Sequence, residues 1–248
     1  MARPRVKNRV RLSSIDGPLL LSQRLFTITP PAGSTLCALI VRGGSYVGSQ
    51  RYIDDEYRRG RGMVRIKRLG NEAATTGRSA LLLPGTDYPA QAPLLYWSAA
   101  ALASNGWCVC VAEREDGDGD FASPYQLIDR AFELHAAEAS TQPDLVVAKS
   151  LGTFALPRCV DEGIAGVWLT PLLNKPEVAS ALRAADHRHL AIGGTKDRHW
   201  IPEAVPGTNA KIIAFDDVDH ALLHDDWRTS MKFHSDIAAE VDTHVQGV

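Results

Sequence analysis

A chain of 248 residues suffices for one large domain or two small ones, and an open α/β sheet of that size buries a core without disulfide staples. With 45% hydrophobic and 23% charged residues and a mean hydropathy of −0.13, the composition is that of an ordinary soluble protein. The 27 basic and 29 acidic side chains leave a formal charge of −2, which gives no reason to expect nucleic acid or an anionic membrane as partner; no apolar run approaches the ~18 residues of a membrane helix.

Taken in chain order, MARPRVKNRVRL carries Arg3, Arg5, Lys7, Arg9 and Arg11 with no apolar stretch and cleavage site behind it. It reads as a solvated tail and not a secretory signal, so a cytoplasmic protein is expected. A nucleic-acid arm is the alternative, and nothing downstream supports it. LFTIT (25–29) and TLCALIV (35–41) flank the turn signal PPAGS and predict a β-hairpin. RYIDDEYRRG (51–60) predicts a short exposed helix, MVRIKRL (63–69) an edge strand and GNEAATTG (70–77) a loop. Seven Lys and Arg between residues 51 and 68 read as a solvated face, with an anionic-ligand surface as the alternative.

From Ser79 onward, short apolar runs alternate with helical patterns, the signature of a mainly parallel, twisted sheet with helices on both faces. SALLLPG (79–85) is a strand stopped by Pro84-Gly85, and 92–106 a helix stopped by Asn105-Gly106. WCVCVAE (107–113) is a strand and EDGDGD (115–120) a polar turn. SPYQLIDRAFELHAAEAS (123–140) is a helix with a Ser N-cap and Pro in its first turn. DLVVAKS (144–150) is a strand, followed by a helix ending at Gly163 that Pro157 kinks or shortens. AGVWLTPLL (165–173), HLAIGG (189–194) and KIIAF (211–215) are strands; 175–186 is a short helix, and a helix from His224 closes the chain. The whole is read as one domain, 1–248, with strands and a loop in 1–78 and the core in 79–248.

Cys37, Cys108, Cys110 and Cys159 show no zinc-ligand spacing. Cys108 and Cys110 are expected to point to opposite sides of their strand, which disfavours a shared metal or a bridge. Buried free thiols fit a reducing compartment.

The chemistry centres on Val147-Ala148-Lys149-Ser150-Leu151-Gly152, at a strand end before a helix. It is close to the G-x-S-x-G nucleophile elbow, with Ala148 for the first glycine. So tight a turn needs small residues, because a larger side chain two positions from the serine would strike a neighbouring element. The turn lifts the Ser150 hydroxyl above the sheet and aims the Leu151 N–H, at a helix N-terminus, toward a developing oxyanion. A plain serine N-cap would explain the same letters.

From about Ser79 to its end the sequence resembles the α/β-hydrolase family. The resemblance rests on LLLPGTDYPAQAPLLYWSAAALASNGWCVCVAE, AKSLG, HLAIGGTKDRHW and KIIAFDDVDHALL. It implies Ser150 as nucleophile, Asp197 as the acid and His220 as the base, in the chain order of that family. It also implies a second oxyanion donor in the Thr86 N–H, with Asp87 next; where the family often has His-Gly, this chain has Pro84-Gly85. The Asp87 side chain is expected to point away from the oxyanion. Imidazole, titrating near ~6.5, suits the proton transfer from serine, and the acid would fix its tautomer. Asp216, Asp217 and Asp219 rival Asp197, with Asp217 the best of them, and His199, His224 and His234 rival His220. His187 and His189 resemble a metal pair only superficially.

Lys149 reads as a salt-bridged or snorkelling side chain, or as a contact for an anionic substrate group. Tyr88 and Trp200 are the candidate pocket residues. About fifteen residues between the strands at 165–173 and 189–194 leave little room for a helical cap, so an open site for small or flexible acyl groups is expected. The resemblance thus implies a cofactor-free, metal-free serine hydrolase acting on a small-molecule ester, thioester or amide. A lyase, cyclase or acyltransferase on the same fold, or a silent binding module, are the alternatives. Ser150 at the elbow argues against the aspartate-dependent dehalogenases and epoxide hydrolases.

Overall fold

A computed structural model describes residues 64–69, 76–114 and 123–248. All of them belong to one compact unit, Val47–Val248. The hairpin expected at 25–41, the helix at 51–60 and the turn at 115–120 lie outside the described residues, as does Cys37.

Seven strands form one sheet: β1 (Val64–Leu69), β2 (Ser79–Leu83), β3 (Cys108–Arg114), β4 (Leu145–Lys149), β5 (Ala165–Leu169), β6 (His189–Gly194) and β7 (Lys211–Phe215). Their order is β1-β3-β2-β4-β5-β6-β7. Only β1 runs antiparallel, on β3; every other pairing is parallel. Strands β2, β4, β5 and β6 are buried along their whole length, which is why they read as unbroken apolar runs. The edges differ. In β1, Val64 and Ile66 face the core while Arg65 and Lys67 are partly exposed, and β7 is partly exposed throughout.

The helices are α1 (Pro93–Ser104), α2 (Pro124–Ala139), α3 (Leu156–Glu162), α4 (Pro176–Ala184) and α5 (Trp227–Gln246). The alternation of strand side chains sorts them into two layers. Leu81, Val146, Ala148 and Trp168 face α2, α3 and α4. Leu82, Val109, Val147 and Ile192 face α1 and α5. Cys108 and Cys110 are two apart on β3 and therefore share a face, contrary to the expectation that they diverge; both lie in the α2 layer, free and buried.

One helix is shortened as expected, one keeps its expected cap residue without the cap bond, and one starts later than expected. Pro157 cannot sit inside a helix, so Ser150–Ala155 forms a 3₁₀ turn and α3 begins at Leu156 with the proline in its first turn. Ser123 occupies the cap position of α2 without a side-chain cap bond. The last helix starts at Trp227, not His224, because Asp226 accepts from the Arg228 and Thr229 N–H groups and caps it there. Between β5 and β6 the chain holds only the nine-residue α4. No helix among the described residues is long and apolar enough to cross a membrane.

Candidate active site

In a parallel sheet, loops at the carboxyl ends of neighbouring strands gather at one rim. Ser150 follows β4, Asp197 follows β6 and His220 follows β7. Ser150 takes a left-handed backbone, φ 52°, which a non-glycine residue holds only where its surroundings enforce it. Gly152 is part of that enforcement. A Cβ there would lie 2.5 Å from the Leu83 carbonyl oxygen and 2.8 Å from its Cβ, so only glycine lets the elbow pass the end of β2. The Thr153 hydroxyl donates to the Ser150 carbonyl (2.5 Å) and accepts from the Leu172 N–H (3.3 Å), joining the elbow to the loop after β5.

The three chemical groups meet. His220 Nε2 lies 2.8 Å from Ser150 Oγ, and its Nδ1 lies 2.6 Å from Asp197 Oδ2. The Asp197 side chain is fully buried and that of His220 is 35% exposed, so the carboxylate is shielded from solvent and the imidazole is not. Asp197 Oδ1 accepts from the His199 N–H at 2.9 Å. Burial alone would raise the carboxyl's pKa. The bonds from His220 and the His199 N–H, with both nearby imidazoles, outweigh it and hold Asp197 below its ordinary value. With Nδ1–H directed at this carboxylate, Nε2 is left as the acceptor for the serine proton.

The loops carrying acid and base are joined directly. The Lys196 N–H donates to the Val218 carbonyl at 3.0 Å. A Cβ on Gly194 would lie 2.4 Å from that same oxygen, so the approach requires glycine. On the other side of Ser150 the loop after β2 comes close. A Cβ on Gly85 would sit 3.3 Å from Ser150 Cβ. Gly85 bridges to Tyr88, leaving Thr86 and Asp87 as the exposed tip of a tight turn. Leu151, the other candidate donor, is the second residue of the 3₁₀ turn that Ser150 begins.

No family model and no curated protein sequence matches the chain. Solved structures do. An α/β serine hydrolase homologue from Coxiella burnetii aligns at TM-score 0.59 and 13% identity, covering 79% of this chain and 99% of its own. XC6422 from Xanthomonas campestris, an α/β serine hydrolase without a lid, aligns at TM-score 0.53 and 16% identity, over 72% and 88%. Est1E from Butyrivibrio proteoclasticus aligns at TM-score 0.57 and 11% identity, over 79% and 99%. The chain has the α/β-hydrolase fold. At these identities the likeness is one of fold.

Within this fold several of the rival residues are engaged elsewhere. Asp217 is exposed and pairs with Lys196 (2.8 Å) and His224 (3.2 Å). Asp219 turns back on its own loop, its Oδ1 accepting from the Ala221 and Leu223 N–H groups. His199 packs edge-on against His220, ring centroids 5.1 Å apart, and its Nε2 accepts from Arg198. His189 sits at the opposite end of the sheet, where its Nδ1 accepts from Trp168 Nε1–H at 3.1 Å. The described residues hold no cluster of three metal-ligand side chains.

The two side chains expected to line a pocket, and the lysine before Ser150, have other partners. Trp200 is a core residue, 7% exposed, laid across Gly193, where a Cβ would meet its ring at 2.1 Å. The Tyr88 hydroxyl accepts from the Leu94 N–H in the first turn of α1. Lys149 neither snorkels nor pairs with a carboxylate: it is 2% exposed, and its Nζ donates to Thr170 Oγ1 (3.1 Å) and the His220 carbonyl (3.0 Å). Thr153, Thr170 and Gly194 escaped sequence reasoning. Threonine is ordinary at strand and helix ends, and only the Gly193-Gly194 pair closing a buried strand hinted at a close approach.

Proposed function

We infer that the protein is a serine hydrolase that cleaves an ester, thioester or amide through an acyl-enzyme on Ser150. The observation that carries this reading is the continuous chain Ser150 Oγ–His220–Asp197, with bonds of 2.8 and 2.6 Å, ending on a serine held in a left-handed turn. His220 takes the Ser150 proton through Nε2 as Oγ bonds to the carbonyl carbon. Buried Asp197 stabilises the imidazolium that results. The oxyanion then faces the Leu151 and Thr86 N–H groups, the latter brought close by the approach of Gly85 to the nucleophile. His220 returns the proton to the leaving group, and water attacks the acyl carbonyl with His220 again as base.

The fold neighbours support an acyl substrate. Est1E is seen with ferulic acid bound, and another neighbour is a thioesterase domain from the curacin biosynthetic pathway. An acyl group on an oxygen or sulfur leaving group is accordingly the first substrate to try, and no cofactor enters the scheme.

The test is labelling with a fluorophosphonate followed by turnover of aryl esters and thioesters in ¹⁸O-water. Wild type is expected to label stoichiometrically and to release a free acid carrying one ¹⁸O. Ser150→Ala is expected to abolish labelling and to lower kcat on the order of 10⁴–10⁶-fold. An unlabelled wild type, or equal labelling of the alanine variant, would overturn the reading.

A further inference from the structure

The residue before the nucleophile is a buried lysine whose three donor directions are all occupied. Two go to Thr170 Oγ1 and the His220 carbonyl oxygen; the third lies toward the Tyr88 ring, 4.8 Å from Nζ to its centroid. These partners stand on three different loops, after β2, β5 and β7. Burying an ammonium without a paired carboxylate opposes stability, and an apolar side chain of similar length would fill the same space at lower cost. A charge kept there works for something other than folding, and its contact with the backbone of His220 identifies what.

We propose that Lys149 is a positioning residue for His220, its ammonium tying the histidine's carbonyl to the strand that carries Ser150. The proposal rests on the hydrolase reading above. No other described side chain donates to that carbonyl. The Asp219 side chain shapes the loop from within, and the bond from the Lys196 N–H to Val218 holds its base. Lys149 sets the distance between base and nucleophile.

The clamp is pH-sensitive. Burial lowers the Lys149 pKa to about 8, partly offset by the attraction of Asp197 and Asp219. The other titratable groups facing it are Tyr88, a phenol whose pKa burial raises further, and His220 itself. A neutral amine keeps its N–H bonds but loses their charge assistance and its attraction to the ring. Activity is therefore expected to fall as pH rises through about 8. Stability runs the other way. Between about 8 and the ordinary 10.5 the unfolded chain binds more protons than the folded one, so this group's contribution to stability rises with pH. A purely structural lysine would not make activity fall in that window.

The test uses the full chain as wild type, Lys149→Met and Lys149→Arg. Each is titrated with fluorophosphonate, assayed with an activated aryl ester from pH 7 to 10, and melted at each pH. Wild type is expected to show an alkaline decline in kcat while its Tm gains from Lys149. Lys149→Met is expected to lose about 10- to 100-fold in kcat, the range for one hydrogen bond to a charged group. Its KM should stay within about twofold, its Tm at pH 7 should equal or exceed wild type, and its alkaline decline should vanish. Lys149→Arg, which stays charged, is expected to recover part of kcat without the decline. A wild-type kcat that is flat to pH 10, needing no variant, would overturn the proposal. So would a Lys149→Met enzyme with unchanged kcat, or one whose only change is a higher KM, the mark of a substrate contact. Failure of wild type to label would sink the hydrolase reading itself, whereas full labelling with unchanged kcat in Lys149→Met would sink this inference alone.

Discussion

Asp197 and Asp217 are both near a histidine, yet only Asp197 is buried and bonded to His220. Asp197→Asn keeps the shape and removes the charge that supports the imidazolium. It is expected to lower kcat on the order of 10⁴-fold, whereas Asp217→Asn should leave it within about twofold. Steady-state kinetics on the two variants side by side checks the assignment. Gly152→Ala places a methyl 2.5 Å from the Leu83 carbonyl. Relieving that overlap moves either β2 or the elbow, at an expected ~1–3 kcal/mol of stability, readable by urea denaturation. Its fluorophosphonate labelling rate should fall with it, since the strained Ser150 turn shares the contact. These residues were legible because their chemistry and spacing are distinctive. The neighbours that hold them, Thr153 and Thr170, were not, because a threonine's partner is fixed by tertiary contact and leaves no local pattern.

Strands β2, β4, β5 and β6 were legible for a single reason: a strand buried on both faces has to be apolar at every position. Cys108 and Cys110, expected to diverge, share a face because side chains on a strand repeat every two residues. The start of α5 lies three residues beyond His224 because Asp226 caps the helix there. The pairing of β5 with β6 carries its own prediction. His189 is buried and accepts from Trp168; burial lowers its pKa from 6.5 to about 4, with smaller contributions from neighbouring charges. Between those values the unfolded chain binds the extra proton, so the contribution to stability is present above 6.5 and is lost as pH falls toward 4. His189→Gln keeps an acceptor for Trp168 and does not titrate. Its Tm is expected to fall less steeply than wild type over that pH range.

At the scale of the molecule, the parallel sheet explains how residues 47 and 23 positions apart in the chain form one site, and why a triad could be sought from order alone. Residues 170–188 hold α4 as their only helix, too little for a helical cap. A fully buried methylene adds ~0.8 kcal/mol, or about fourfold in kcat/KM. A site without a helical cap from that connection gives that gain only for the first few carbons. Across aryl esters from acetate to palmitate, kcat/KM is expected to rise to about butyrate and then level or decline. A continued fourfold rise per methylene would show a long apolar tunnel and refute the open site.

Ser150 and His220 are unequally anchored. Ser150 leaves a strand sealed on both faces, while His220 hangs from β7, whose residues are all at least partly solvated and which among the described residues pairs only with β6. Such borders are where native proteins first fray. Amide hydrogens of β7 should exchange ahead of those in β4, and gentle warming should extinguish turnover several degrees before the circular dichroism of the sheet collapses.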